Sequence, residues 1–236
     1  IAGRVIRRND PQSTVMETCL AILGDQLAGR NGSIEQALST VHGAWGGKPD
    51  IENRTAQILS LVCRDRKYEQ QIRAALDRYR TLPDDDIPRV FSTGIPVITK
   101  LPIKNWVCFF LARTLGNLAD PKSVDSLVAV LQQTLPEAAT GHPDPTGAGV
   151  LFLHNGLTPC YRAAAAWALG QIGDKRAVPA LLDTVADMKN ATDTRHAAAM
   201  ALGKIGDETS FARIEKIAEN YPEVSTRKAL LHAAGK

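Results

Sequence analysis

His142 and Asp144 stand one residue apart in the stretch PEAATGHPDPTGAGVLFLHNGLTP, and His154 lies near its end. Two imidazoles and a carboxylate are donors that zinc or iron accepts. The spacing is poor for a metal, and Pro143 and Pro145 beside the pair favour a plain turn. The run Asp84-Asp85-Asp86 offers charge for a cation, but a solvated loop or the cap of a short turn accounts for it better. Gly43-Ala44-Trp45-Gly46-Gly47 lacks the Lys-Ser/Thr with which a glycine-rich loop holds phosphate, and reads as a helix end. No G-x-S-x-G and no H-E-x-x-H occurs, and no nucleophile has an obvious base. Cys19, Cys63, Cys108 and Cys160 form no C-x-x-C pair. Each falls in or beside an apolar helix face, as a buried free thiol does. The sequence therefore predicts no catalytic residue, no metal and no cofactor.

Charge gives a second set of candidates. Arg64, Arg66, Lys67, Arg73, Arg78 and Arg80 cluster, but Asp65, Glu69 and Asp77 dilute them, and Tyr68 and Tyr79 are the aromatic partners. This spacing predicts a solvated helix with i,i+4 ion pairs rather than a patch that tracks phosphates. Net charge is +3. Residues 1–104 hold 15 Lys and Arg against 12 Asp and Glu, and residues 105–236 hold 13 against 13. That balance argues against a dedicated nucleic-acid binder. No apolar run approaches the length of a membrane span, and a cytoplasmic protein is expected. The chain opens on Ile1 rather than Met, so removal of an export signal stays open.

Whatever these residues do, helices must position them. Apolar residues make up 44% of the 236 and aromatics 5%, with alanine and leucine dominant, which favours closely packed helices over sheets. The helices repeat. Leu115-Gly116-Asn117-Leu118-Ala119-Asp120 matches Leu169-Gly170-Gln171-Ile172-Gly173-Asp174, and both match Leu202-Gly203-Lys204-Ile205-Gly206-Asp207. Thr226 to Lys236 overlays Thr194 to Lys204. Steps of 32 and 33 residues are the length of a two-helix repeat. Within one unit, Ala163, Ala166 and Gly170 let a neighbouring helix come close, and Trp167, Leu169 and Ile172 supply bulk. Gly173 stops the helix, and Asp174 is placed to cap the next one. That helix carries Pro179 in its first turn, with apolar Val178, Leu181, Leu182 and Val185 at helical spacing. Such a hairpin has one apolar face too many to bury alone, and stacking buries it.

The motif R-x-A-A-x-x-L-G-x-I-G-D followed by A-V-x-x-L-L resembles the HEAT-repeat family, specifically the short alanine-rich type named after phycobilisome lyase subunits. The resemblance covers residues 105–236 and implies an all-α fold, a right-handed α-solenoid of stacked helical hairpins. Residues 1–81 read as divergent helical repeats, with helices over Ser13–Ala28, Ser33–Ala44, Asp50–Arg64 and Lys67–Arg80. Ser33 with Gln36, and Asp50, mark helix starts. Two irregular stretches interrupt the array, the Pro-rich residues 82–104, with a short extended segment at Val97–Thr99, and the inserted loop 136–159. Both follow the second helix of a hairpin and should emerge on one edge, where long loops are usually functional or disordered.

The resemblance also offers chemistry. HEAT-like deoxyhypusine hydroxylases bind iron through His-Glu pairs in this same helix. Here Ala197 follows His196, and Ala163 and Lys228 stand at the matching positions, so a di-iron set cannot form and His196 is expected on a helix surface or interface. The lyases act on bilin attached to cysteine, but the shared residues are structural ones. HEAT-like DNA glycosylases use a basic groove, which the diluted cluster above does not supply. The family instead implies a non-enzymatic scaffold that holds another protein. Its concave face would be lined by second helices carrying Asp125, Ser126, Gln132, Gln133, Asp183, Asp187, Arg213 and Lys216. The edge loop would add His142, Asp144, Phe152 and His154. A lyase-type enzyme subunit and a HEAT-like nucleic-acid-binding protein are the alternatives. The last repeat breaks off where its second helix should begin, so an exposed apolar end is expected, and with it self-association or a longer chain with more repeats.

Overall fold

A computed structural model describes residues 16–21, 51–82, 103–133 and 161–235 of the chain. Among these residues the regular structure is helical throughout, with no strand. After a helical segment at 16–21 come α1 (Ile51–Val62) and α2 (Glu69–Thr81), then α3 (Ile103–Leu118) and α4 (Val124–Leu131). They are followed by α5 (Tyr161–Ile172) and α6 (Val178–Ala186), α7 (Thr192–Ile205) and α8 (Phe211–Ala218), and α9 (Val224–Ala233). The helix expected over Ser13–Ala28 is described only at 16–21. That over Ser33–Ala44, the acidic run at 84–86, Val97–Thr99 and Cys160 lie outside the described residues. Helix α3 begins at Ile103, two residues before the expected repeat start at 105.

The odd-numbered helices stack in chain order, each against the next, to form one layer. The even-numbered helices form the other, and each packs on the first helix of the following unit: α2 on α3, α4 on α5, α6 on α7, α8 on α9. A hairpin thus closes its core only against its neighbour. The leucines that do so, among them Leu76, Leu115, Leu131, Leu169, Leu181 and Leu202, are buried. Burying a leucine side chain is worth about 1.5–3 kcal/mol.

The Leu-Gly pair sets the spacing between first-layer helices. A Cβ on Gly116 would lie 2.6 Å from Trp167 and 2.9 Å from the Ala168 backbone, and one on Gly170 would lie 2.8 Å from the Ala201 backbone. Each glycine faces the alanine two residues ahead of the next unit's glycine. Only a residue without a side chain permits that approach.

The aspartate that ends each motif works slightly differently from the sequence expectation. In two of the three motifs it caps a short 3-10 turn before the second helix, whereas Asp207 accepts from the Thr209 hydroxyl at 2.7 Å. Asp120 accepts from the Lys122 backbone N–H at 3.0 Å and Asp174 from Arg176 at 2.9 Å. Asp65 does the same with Lys67 at 3.0 Å. The α1–α2 hairpin is therefore a unit of the same construction, although it lacks the Leu-Gly signature. Arg66 joins it to the next unit, donating to the Leu118 and Ala119 carbonyls at 2.9 Å each.

Candidate functional site

The even-numbered helices present an outward row at spacings of four and three residues. On α4 it is Asp125, Ala129 and Gln132; on α6 Pro179, Asp183 and Ala186; on α8 Ala212, Lys216 and Glu219. Short side chains alternate with charged ones, so the face is low in relief and mixed in sign. The structure brings some of the expected residues together. Arg213 pairs with Asp183 at 2.7 Å across two units, and Asp125 pairs with Arg176 at 3.5 Å. All four side chains are exposed, so these bridges add little stability and can be exchanged for a partner's charges. Gln132 and Lys216 are exposed. Asp187 is exposed too, with its carboxylate on the Lys189 N–H at 3.0 Å.

Two expected residues face inward. Ser126 is buried and donates to Asp77 at 2.7 Å. Gln133 is half-buried and donates to the Arg80 carbonyl at 3.0 Å. Both tie α4 to the preceding unit and leave the outward face. His142, Asp144, Phe152 and His154 lie outside the described residues. Residues 83–102 and 134–160 each run from the end of a second-layer helix, α2 or α4, to the start of a first-layer helix.

Three of the six cations of the basic cluster are paired with carboxylates. Lys67 pairs with Asp65 (3.1 Å), Arg73 with Glu69 (2.7 Å, i,i+4) and Arg80 with Asp77 (3.0 Å, i,i+3). Glu69 is buried and also accepts from Ser123 at 2.6 Å. The side-chain hydrogen bond and then the backbone N–H of Arg176 hold the Asp174 carboxyl below its usual range. For Asp65 the backbone N–H of Lys67 and then its side chain do the same.

His196 sits half-buried between helices, its Nδ1 at 3.5 Å from Thr226 Oγ1 on α9, the interface position expected of it. Sequence reasoning missed the role of the arginine that opens the motif. Arg162 is buried and donates to the Leu131 carbonyl at 2.7 Å. Arg195 is buried against the Met188 carbonyl (3.1 Å), the Asn190 carbonyl and Glu223. Each closes the end of the preceding second helix, and the R-x-A-A signature was the signal for it. Cys19, Cys63 and Cys108 are buried free thiols, and burial pushes Cys63 up to about 11.

Among the described residues no group of three His, Cys, Asp or Glu side chains is placed to hold a metal. No described helix is long and apolar enough to cross a membrane.

This arrangement is that of a helical-repeat protein, a stack of two-helix units with an open face. Residues 152–235 match the family model for HEAT repeats. No curated protein matches the chain.

Proposed function

We propose that the chain is a non-enzymatic HEAT-repeat scaffold, a right-handed α-solenoid whose concave side is the face of even-numbered helices and which holds a partner protein there. The observation that carries this reading is that face itself. Asp125, Gln132, Asp183, Lys216 and Glu219 stand exposed among Ala129, Pro179, Ala186 and Ala212. Alternating charge on a helix-backed surface suits a protein partner, whose own charges vary in sign, better than a polyanion. In chain order both long connections follow a second-layer helix, which supports their emergence on one edge, where a rigid scaffold commonly carries its binding residues. The likeness to phycobilisome lyase subunits extends to residues that hold the repeat together and carries no bilin chemistry.

The test is a pull-down of native lysate with the intact chain, with residues 138–156 replaced by a Gly-Ser linker, and with Asp183→Lys and Lys216→Glu combined. One specific protein that is retained by the intact chain and lost with either variant supports the reading. Retention of nucleic acid, or of a coloured small molecule, in place of a protein overturns it.

A further inference from the structure

The odd-numbered helices carry a second outward face with a different chemistry. The repeat register aligns Phe109, Arg113 and Asn117 of α3 with Ala163, Trp167 and Gln171 of α5. It aligns these with His196, Met200 and Lys204 of α7, and with Lys228 and His232 of α9. The grid holds no acidic residue. Among the described residues no carboxylate pairs with Arg113, Lys204 or Lys228, whereas Arg73, Arg80, Arg176 and Arg213 of the turns and even-numbered helices all have one. The face is apolar at its centre: Met200 is 50% exposed and Trp167 is half-buried. Its cations are held in place. The Arg113 guanidinium lies 4.1 Å from the centre of the Trp167 ring. With its amide turned so that the oxygen faces them, Gln171 is placed to accept from the Trp167 indole N–H and from Lys204.

We propose that this face is a second docking surface and that its occupant is an acidic amphipathic helix of another protein. The apolar side of that helix would cover Trp167 and Met200, and its carboxylates would meet Arg113 and Lys204. Tryptophan, arginine and methionine are the side chains that concentrate in interface centres, and methionine adapts its shape to a partner. Charge complementarity selects the acid. The same stacking disfavours single-stranded nucleic acid, because bases need an open aromatic face and Arg113 already covers one face of Trp167.

The experiment is a display selection of amphipathic 20-residue helices, with random polar positions, against the intact chain. Enriched sequences are then measured as labelled peptides, beside a labelled single-stranded DNA 20-mer. We expect enrichment in Asp and Glu, and affinity reduced about tenfold or more by Lys204→Glu and by Met200→Glu. Neither position lies in the core, and matching circular dichroism melts verify the fold. Asp183→Lys, on the other face, leaves the affinity unchanged. Enrichment of neutral or basic peptides, no enrichment, binding that survives both variants, or DNA binding lost in Lys204→Glu would each overturn the assignment. Loss of peptide binding in Asp183→Lys alone would return it to the even-numbered face and overturn it too.

Discussion

Replacing Gly170 by alanine adds one methyl group to a fully helical position, and in an isolated helix that change stabilises by about 0.5–1 kcal/mol. In this fold the sign should reverse. The new Cβ would lie 2.8 Å from the Cα of Ala201 and 3.0 Å from its Cβ, and neither atom can rotate away from the α7 backbone. Relief requires α5 and α7 to move apart along their whole contact. Overpacking of that kind costs about 1–3 kcal/mol, so Gly170→Ala should be destabilised by about 1–2 kcal/mol net. Gly203 is the internal control. It holds the same place in the next unit, but its Cβ would meet Ala233 and His232 at 3.6 Å, an ordinary contact. There the propensity gain stands alone, and Gly203→Ala should be neutral or up to about 1 kcal/mol more stable. For a chain of this size 1 kcal/mol moves Tm by about 2–4 °C. Urea unfolding followed by far-ultraviolet circular dichroism resolves the difference between the two midpoints. Equal destabilisation by both substitutions would refute the argument that helix separation, rather than helix propensity, fixes glycine in the motif.

Further outcomes follow from single residues. Ala119 has φ 49°, where the equivalent Gly173 and Gly206 have 75° and 62°; Ala119→Gly should stabilise by about 1 kcal/mol, and a thermal melt lower than the parent's would contradict this. The Asp174 carboxyl is held below its usual range, first by the Arg176 side chain and then by the Arg176 N–H. Its contribution is therefore complete above the unfolded value of about 3.9 and is lost as pH falls through the lower folded value. Asp174→Asn should be less stable than the parent at neutral pH, with the gap closing as the pH drops below about 4; a gap that is constant down to acid pH would show that the charge plays no part. Cys63 is 1% exposed and its thiol is pushed up to about 11 by burial. Iodoacetamide at pH 8 should leave it unmodified in the folded chain and label it in urea, as read by peptide mass; labelling at a free-thiol rate without urea would show that α1 opens.

The hairpins were legible because their signals are local. Gly173 at positive φ, Pro179 in a first turn and the 3-4 spacing of Val178, Leu181, Leu182 and Val185 can each be read within a dozen residues. The α1–α2 unit was legible only as helices. Its glycine position holds Leu61, and its aspartate, Asp65, looked like part of a charge cluster because the surrounding arginines obscured the cap. Contacts between units were the least legible. Nothing within α4 distinguishes Ser126 and Gln133, which turn back to Asp77 and Arg80, from Asp125 and Gln132, which stay outside. That choice depends on where α2 lies, and α2 is separated from α4 by a long connection. The grid of odd-numbered helices escaped notice for the same reason: Phe109, Trp167 and Met200 become neighbours only when three units are stacked.

The two faces differ because the units repeat. A residue added to one position of a hairpin recurs, or fails to recur, at regular steps along the stack. Its charge therefore matters less than its partner one unit away. On the even-numbered face Asp183 has Arg213 and Asp125 has Arg176, so the field cancels within the protein and a partner must compete for each pair. On the odd-numbered face Arg113, Lys204 and Lys228 have no carboxylate partner among the described residues, so their field adds and reaches solvent. Screening at physiological salt limits it to about 8 Å, roughly the distance between adjacent helices. A partner would feel that field only once its own helix lay against the stack. Salt should therefore weaken binding at the odd-numbered face more than at the even-numbered one, and raising ionic strength on a doubly loaded chain should release the partner of the odd-numbered helices first.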